Sequence, residues 1–235
     1  MDINNTGNKY FLPISVLLAA FIIGGAVLWS NAHPPTTTVG TTAGTATQPV
    51  NIKNVKTDGE PFIGQANAPI TIAEWSDYQC PYCKEFEITT LPLIIQNYVN
   101  EGKVKVVFKD FPFLGPDSMV DAEYARAVWA LYPTRFAAWR TALYATEPQE
   151  NSLNAADNLT FLAKVTDSVS GIDLTKIKDA VAANQVTYDA AINADRAEAA
   201  NFNIQATPSF VIGTQMIAGA YPYNTFQNAI NTVLN

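Results

Sequence analysis

The hydrophobic patterning predicts an α/β sheet domain interrupted by a helical block of about ninety residues. Three observations lead there. Two short apolar runs rich in β-branched residues, Ile70 to Trp75 and Lys103 to Phe108, flank a segment that opens with Cys80-Pro81-Tyr82-Cys83. From Asp117 to about Phe202 the apolar spacing turns helical. After Gln205-Ala206-Thr207-Pro208 it reverts to strand, turn and strand, and a last helical stretch closes the chain.

The N-terminus precedes this domain and has its own logic. Residues 1–10 form a polar tail with only Asp2 and Lys9 charged. Phe11 to Trp29 is then apolar apart from Ser15 and the small or imino residues Pro13, Gly24 and Gly25. At about 1.5 Å per residue the run reaches roughly 28 Å, the span of a hydrocarbon core. It predicts a transmembrane helix over 11–29 with a cytoplasmic tail. A cleaved signal peptide is the rival, because Ser30-Asn31-Ala32 is a passable cleavage site. Against cleavage, the run exceeds the usual apolar core of about 7–15 residues and lacks a basic flank. Either route delivers the domain outside the cytoplasm, where disulfides persist.

Residues 30–50 are Thr-, Pro-, Gly- and Ala-rich and uncharged, a flexible tether. The sole histidine, His33, sits there without ligand partners near it in sequence. Residues 51–235 are the right length for one domain. Net charge is −7 with no basic cluster, which argues against nucleic acid and anionic lipid surfaces as partners.

Within the domain, Ile52 to Val55 reads as a short edge strand followed by the turn Asp58-Gly59. Ile70 to Trp75 reads as a buried strand. Cys80 to about Asn100 reads as a helix that Pro92 must kink or break. Lys103 to Phe108 is a second strand, and Phe111 to Pro116 a loop. Ser118-Met119-Val120-Asp121 fits a helix-start box, and Ala122, Ala125, Trp129 and Tyr132 follow at helical spacing. Helices are expected over Thr134–Thr146, Ala155–Val169, Asp173–Asn184 and Val186–Phe202, making an insertion over about 117–203. Ser209–Ile212 and Gln215–Ala218 flank the two-residue turn Gly213-Thr214, and Asn224 to Leu234 places Phe226, Ala229, Ile230 and Val233 on one helical face.

The chemistry rests on the only two cysteines, Cys80 and Cys83. Three residues apart on a helix they share a face, with Cα atoms roughly 5–6 Å apart, a separation a disulfide accepts. Pro81 suits a first-turn position, where its missing N–H leaves no bond unmade. Cys80 then lies at the helix N-terminus, where free N–H groups and the dipole favour a thiolate. Cys83, one turn deeper, is the shielded partner. A structural disulfide across so short a loop would stabilise little. Structural zinc needs about four Cys or His ligands, more than the chain can gather there. The pair is read as redox-active.

The string Glu74-Trp75-Ser76-Asp77-Tyr78-Gln79-Cys80-Pro81-Tyr82-Cys83, with Thr207-Pro208 ahead of a hairpin and terminal helix, resembles the thioredoxin fold. With its helical block inserted after the second strand, the chain is similar to the DsbA family of thiol–disulfide oxidoreductases over about Ile52 to Asn235. The resemblance implies that Cys80 is the nucleophile and Cys83 the resolving thiol of a Cys80–Cys83 redox disulfide. It implies that Pro208 is cis and faces them, exposing the Thr207 backbone to a substrate strand alongside Pro81 and Tyr82. Glu74 matches a buried acid six positions before the nucleophile, read as exchanging protons with Cys83; an edge carboxylate facing water is the alternative. Trp75, Tyr78 and Phe86 are read as packing. The dipeptide Pro81-Tyr82 lacks the histidine of strong oxidants, so the Cys80 thiolate should be less stabilised than theirs. Glutaredoxins share this dipeptide but are small cytosolic domains without an insertion.

The function expected is an anchored, extracytoplasmic thiol–disulfide oxidoreductase that oxidises thiols of exported proteins. The resemblance implies a quinone-linked membrane reoxidant and an active site without metal or organic cofactor. A reductase or isomerase on the same fold, and a non-catalytic binding module, are the competing readings.

Overall fold

Two seven-residue strands, β2 (Ile70–Ser76) and β3 (Val104–Asp110), run parallel at the centre of a five-stranded sheet. The computed structural model describes residues 50–146 and 155–234. The expected tail, transmembrane helix and nearly all of the tether, His33 included, lie outside the described residues. Among those described, no helix is long and apolar enough to cross a membrane. Strand order is β1-β3-β2-β4-β5, with β1 (Phe62–Ile63), β4 (Ser209–Ile212) and β5 (Gln215–Ala218) each antiparallel to their neighbours. Gly213 turns the β4–β5 hairpin at φ 59°, and an added Cβ would meet the Val233 side chain at 2.7 Å.

Because successive strand residues point to opposite faces, β2 sorts its side chains into two cores. Ile70 and Ile72 join Val104, Val106, Phe108, Phe210 and Ile212 beneath the redox helix and the insertion. Ala73 and Trp75 join Val211, Ala199, Phe202 and Ile204 on the other face. Glu74 belongs by register to the first face, opposite Phe108 and Phe210.

The redox helix comprises α1 (Pro81–Glu85) and α2 (Leu91–Ile94), joined and followed by π-helical turns at Phe86–Thr90 and Ile95–Val99. Pro92 does not break it. The Leu91 N–H reaches back five residues to the Phe86 carbonyl, so the wide turn has already shifted the bonding pattern where the imino ring enters. The inserted block consists of α3 (Pro116–Leu131), α4 (Phe136–Thr146), α5 (Ala155–Ser168) and α6 (Leu174–Asn201), and α7 (Tyr223–Leu234) closes the fold.

Four expectations need correction. Ile52–Asn54 is a 3₁₀ turn instead of an edge strand, because the Asn51 side chain accepts the Lys53 N–H at 2.9 Å and caps it locally. The edge is Phe62–Ile63. The Ser118 box does not cap α3: the helix starts earlier, at Pro116 after Gly115 with φ 140°, leaving the Ser118 hydroxyl buried without a hydrogen bond. The two helices expected over 173–202 are one of 28 residues, capped by Asp173 on the Thr175 and Lys176 N–H groups. Its polar stretch at Asn184-Gln185 marks solvent exposure, not a break. Val233 is 41 % exposed, while Phe226, Ala229 and Ile230 are buried.

Candidate active site

Cys80 is the N-cap of α1 in extended conformation, with Pro81 at the first helical position. The loop that delivers it is cross-braced: the Cys80 N–H donates to the Asp77 carbonyl at 3.1 Å, and the Lys84 N–H to the Cys80 carbonyl at 3.0 Å. Both cysteines are free thiols. Cys83 is fully buried, and Cys80, at 5 % exposed, is only slightly more open. The Thr207–Pro208 bond is cis, and the Cys80 sulfur lies 3.5 Å from the Thr207 carbonyl oxygen.

The two thiols are shifted in opposite directions from the ordinary thiol value. Cys80 is lowered to about 6, chiefly because the Cys83 thiol donates to it. Burial opposes this, while Thr207 and the backbone N–H groups of Cys83 and Tyr82 reinforce it. The helix end therefore contributes, but its partner thiol contributes more, an effect the spacing alone does not reveal. Cys83 is pushed far up by burial, by that same hydrogen bond, and by the negative charges of Cys80 and Glu74.

Glu74 is fully buried, so the exposed-edge alternative is excluded. Its Oε1 accepts from Arg140 Nη2 at 2.9 Å, and its Oε2 is buried without a hydrogen bond. Burial raises its carboxyl from 4.5 to about 7 against the pull of Arg140, and the Glu87 charge adds to the rise. Arg140 also donates to Ser76 Oγ and pairs with Glu87, and its guanidinium carbon stacks 4.0 Å from the Phe108 ring centroid. Sequence reasoning missed Arg140 and Glu87. The available signal was a lone arginine beside Trp139 in an otherwise apolar helical run, because a cation buried in such a helix needs an anion.

Tyr82, at 61 % exposed, and Pro81 stand on the open side of the motif. Tyr82 and Thr207 line a groove of about 370 Å³ with Glu85, Ala206, Ala218–Ala220 and Tyr221. Trp75, Tyr78 and Phe86 are core residues. Trp75 packs edge-on against Phe202, Tyr78 stacks on Tyr144, and Phe86 meets Phe210 at 4.4 Å between ring centroids. The arrangement holds one thiol ready to ionise, one kept protonated, and an acid with an uncommitted oxygen behind the pair.

The thioredoxin family model matches residues 56–232. Disulfide bond formation protein D of Bacillus subtilis is 30 % identical over 178 residues, covering 75 % of this chain and 78 % of that protein. The crystal structure of oxidised BdbD from Bacillus subtilis superposes with a TM-score of 0.70 at 25 % identity, covering 80 % of this chain and 98 % of the other. Wolbachia pipientis alpha-DsbA1 shares the fold, with a TM-score of 0.65 at 19 % identity over 77 % of this chain and 94 % of that one.

Proposed function

This chain belongs to the thioredoxin family and is a protein disulfide oxidoreductase of the DsbA type, and from that premise we propose that it is a membrane-anchored, extracytoplasmic oxidase of exported proteins. The carrying observation is the asymmetry of its thiols. A leaving group lowered to about 6 favours the reduced state of the Cys80–Cys83 pair, which makes the disulfide form an oxidant. Anchoring rests on the apolar run 11–29.

A substrate thiolate attacks the Cys80 sulfur of the disulfide, and Cys83 leaves as a thiolate that takes a proton from Glu74. A second substrate thiolate then attacks the substrate sulfur of the mixed disulfide, and Cys80 leaves as a stable thiolate. Two electrons have passed from substrate to enzyme. A membrane partner linked to quinone returns the pair to the disulfide. Thr207, held at Pro208, offers its backbone to the substrate strand, and Tyr82 and Pro81 border the approach.

Equilibration of the full chain with glutathione buffers tests the direction. A potential above about −200 mV supports the oxidase; one near about −270 mV makes the protein a reductase. Cys83→Ala should accumulate mixed disulfides through Cys80, and Cys80→Ala should form none. Absence of any client adduct in Cys83→Ala would leave a binding module as the better reading.

A further inference from the structure

Gln79, the residue immediately before Cys80, is buried and tied down at both ends. Its N–H donates to Asp77 Oδ1 at 2.9 Å, and its side-chain Nε2 donates to Asp121 Oδ2 at 2.6 Å. Asp121 lies on α3, wholly buried, and its other oxygen accepts from Asn158 Nδ2 on α5 at 3.1 Å. A single carboxyl group thus connects two helices of the insertion to the neighbour of the nucleophile. The second Asp77 oxygen accepts the Phe113 and Leu114 N–H groups, and Tyr144 Oη donates to the Asp77 carbonyl, bracing the same loop from the far side.

A carboxyl group is a costly choice for this position. No cation is paired with Asp121 among the described residues, and burial, with the charges of Asp77 and Asp117, pushes it up to about 7 although Gln79 and Asn158 donate to it. An apolar side chain would avoid that cost, so stability alone does not account for the residue. Its two acceptor contacts do: one reaches the insertion, the other reaches Gln79.

We propose that Asp121 is a positioning residue for Cys80: by holding the Gln79 side chain it keeps the Asp77–Cys80 loop where Cys80 caps α1 beside Cys83 and Thr207, and so sets the thiolate fraction of Cys80. The proposal rests on the reading of Cys80 as nucleophile. It makes the helical insertion part of the redox site, since without α3 and α5 the loop loses this anchor.

The test is the pH profile of alkylation of the reduced full chain, with the label mapped to Cys80 or Cys83. Asp121→Ala and Gln79→Ala should each lower Cys80 labelling at pH 5 about five- to tenfold, corresponding to a thiol titrating close to one pH unit higher. The double variant should lower it no further, because the contact that the proposal invokes, Gln79 to Asp121, is lost in either single variant. Asp121→Asn should restore the wild-type profile: its Oδ1 accepts from Gln79, and its Nδ2 can serve Asn158 Oδ1, which is buried without a hydrogen bond. Gln79→Ala leaves the Asp121–Asn158 contact in place and carries the test should Asp121→Ala fail to fold. A wild-type profile in folded Gln79→Ala, additive effects in the double variant, or no rescue by Asn overturns the proposal. Rapid label on Cys83 in the wild type would overturn the nucleophile reading as well, and mapping tells the two failures apart.

Discussion

Two clusters of buried charge occupy opposite faces of the sheet, and they are built to different rules. Behind the thiols, one guanidinium, Arg140, serves two carboxylates, Glu74 and Glu87, and Glu74 Oε2 is left without a partner. On the Trp75 face, Lys109 and Arg126 meet four carboxylates in an interlocked set. Lys109 Nζ lies 2.5 Å from Asp195, 3.0 Å from Glu60 and 3.1 Å from Glu198. Arg126 pairs with Glu60 at 2.7 Å, with Asp110 at 2.5 Å and with Asp195. The Lys56 carbonyl accepts from Lys109 too, so the segment before β1, the strand β3 and the helices α3 and α6 are locked at one point. The difference teaches that burial of charge by itself does not mark a functional group. On the proposed reading, what sets Glu74 apart is its second oxygen, buried without a hydrogen bond and so free to take or give a proton.

The far cluster should break first and hardest. Lys109→Met leaves Glu198 without a cation and Asp195 and Glu60 with Arg126 alone, a loss of buried charge pairing worth about 3–5 kcal/mol. Denaturant unfolding should show that loss, while the folded fraction alkylates Cys80 at the wild-type rate. A large fall in Cys80 reactivity would mean that the two clusters are coupled through the sheet.

A smaller and opposite signature is expected behind the thiols. Glu74→Gln should slow the steps in which Cys83 gains or loses a proton by about a hundredfold, the lower end of the range of general acid–base catalysis, and change attack on Cys80 less than twofold. The Glu74 carboxyl is raised in the folded state, from 4.5 to about 7, so ionising it opposes folding. That penalty is absent below about pH 4.5, grows as pH rises through the interval, and is complete above about 7. Relative to Glu74→Gln, wild type should therefore lose roughly 3 kcal/mol of stability across this window. Parallel stability curves for the two proteins, together with identical Cys83 pH–rate profiles, would remove Glu74 from proton transfer.

The smallest effect isolates burial from pairing. Ser118 belongs to neither cluster, and its hydroxyl is buried with no hydrogen bond. Ser118→Ala should be neutral or stabilising by up to about 1 kcal/mol, since it removes an unsatisfied polar group at little cost in volume. Destabilisation beyond that in thermal unfolding would indicate a partner for the hydroxyl that the side-chain geometry does not show.

The local pattern of the chain determined a good deal by itself. Strand periodicity placed β2 to β5 within a residue or two, and Pro81 after Cys80 marked the helix start, because both depend on neighbours in sequence. The cysteine spacing and the Thr207-Pro208 step before the hairpin pointed to the redox pair and to its opposing loop. What failed locally failed where two local signals competed. Asn51 capped a turn where Ile52 to Val55 looked like a strand, and Pro116 started α3 ahead of the Ser118 box. Pro92 passed because a π-helical turn, invisible in periodicity, precedes it.

Only the tertiary structure decided the electrostatics of the site. Arg140 is 66 residues from Glu74, and Asp121 is 42 from Gln79. Whether Glu74 met water or a guanidinium, and whether the stronger influence on Cys80 came from the helix end or from Cys83, depended on which helices pack over the sheet. Desolvation and Coulomb interaction act through space and scale with burial and distance, quantities that the order of residues along the chain does not contain.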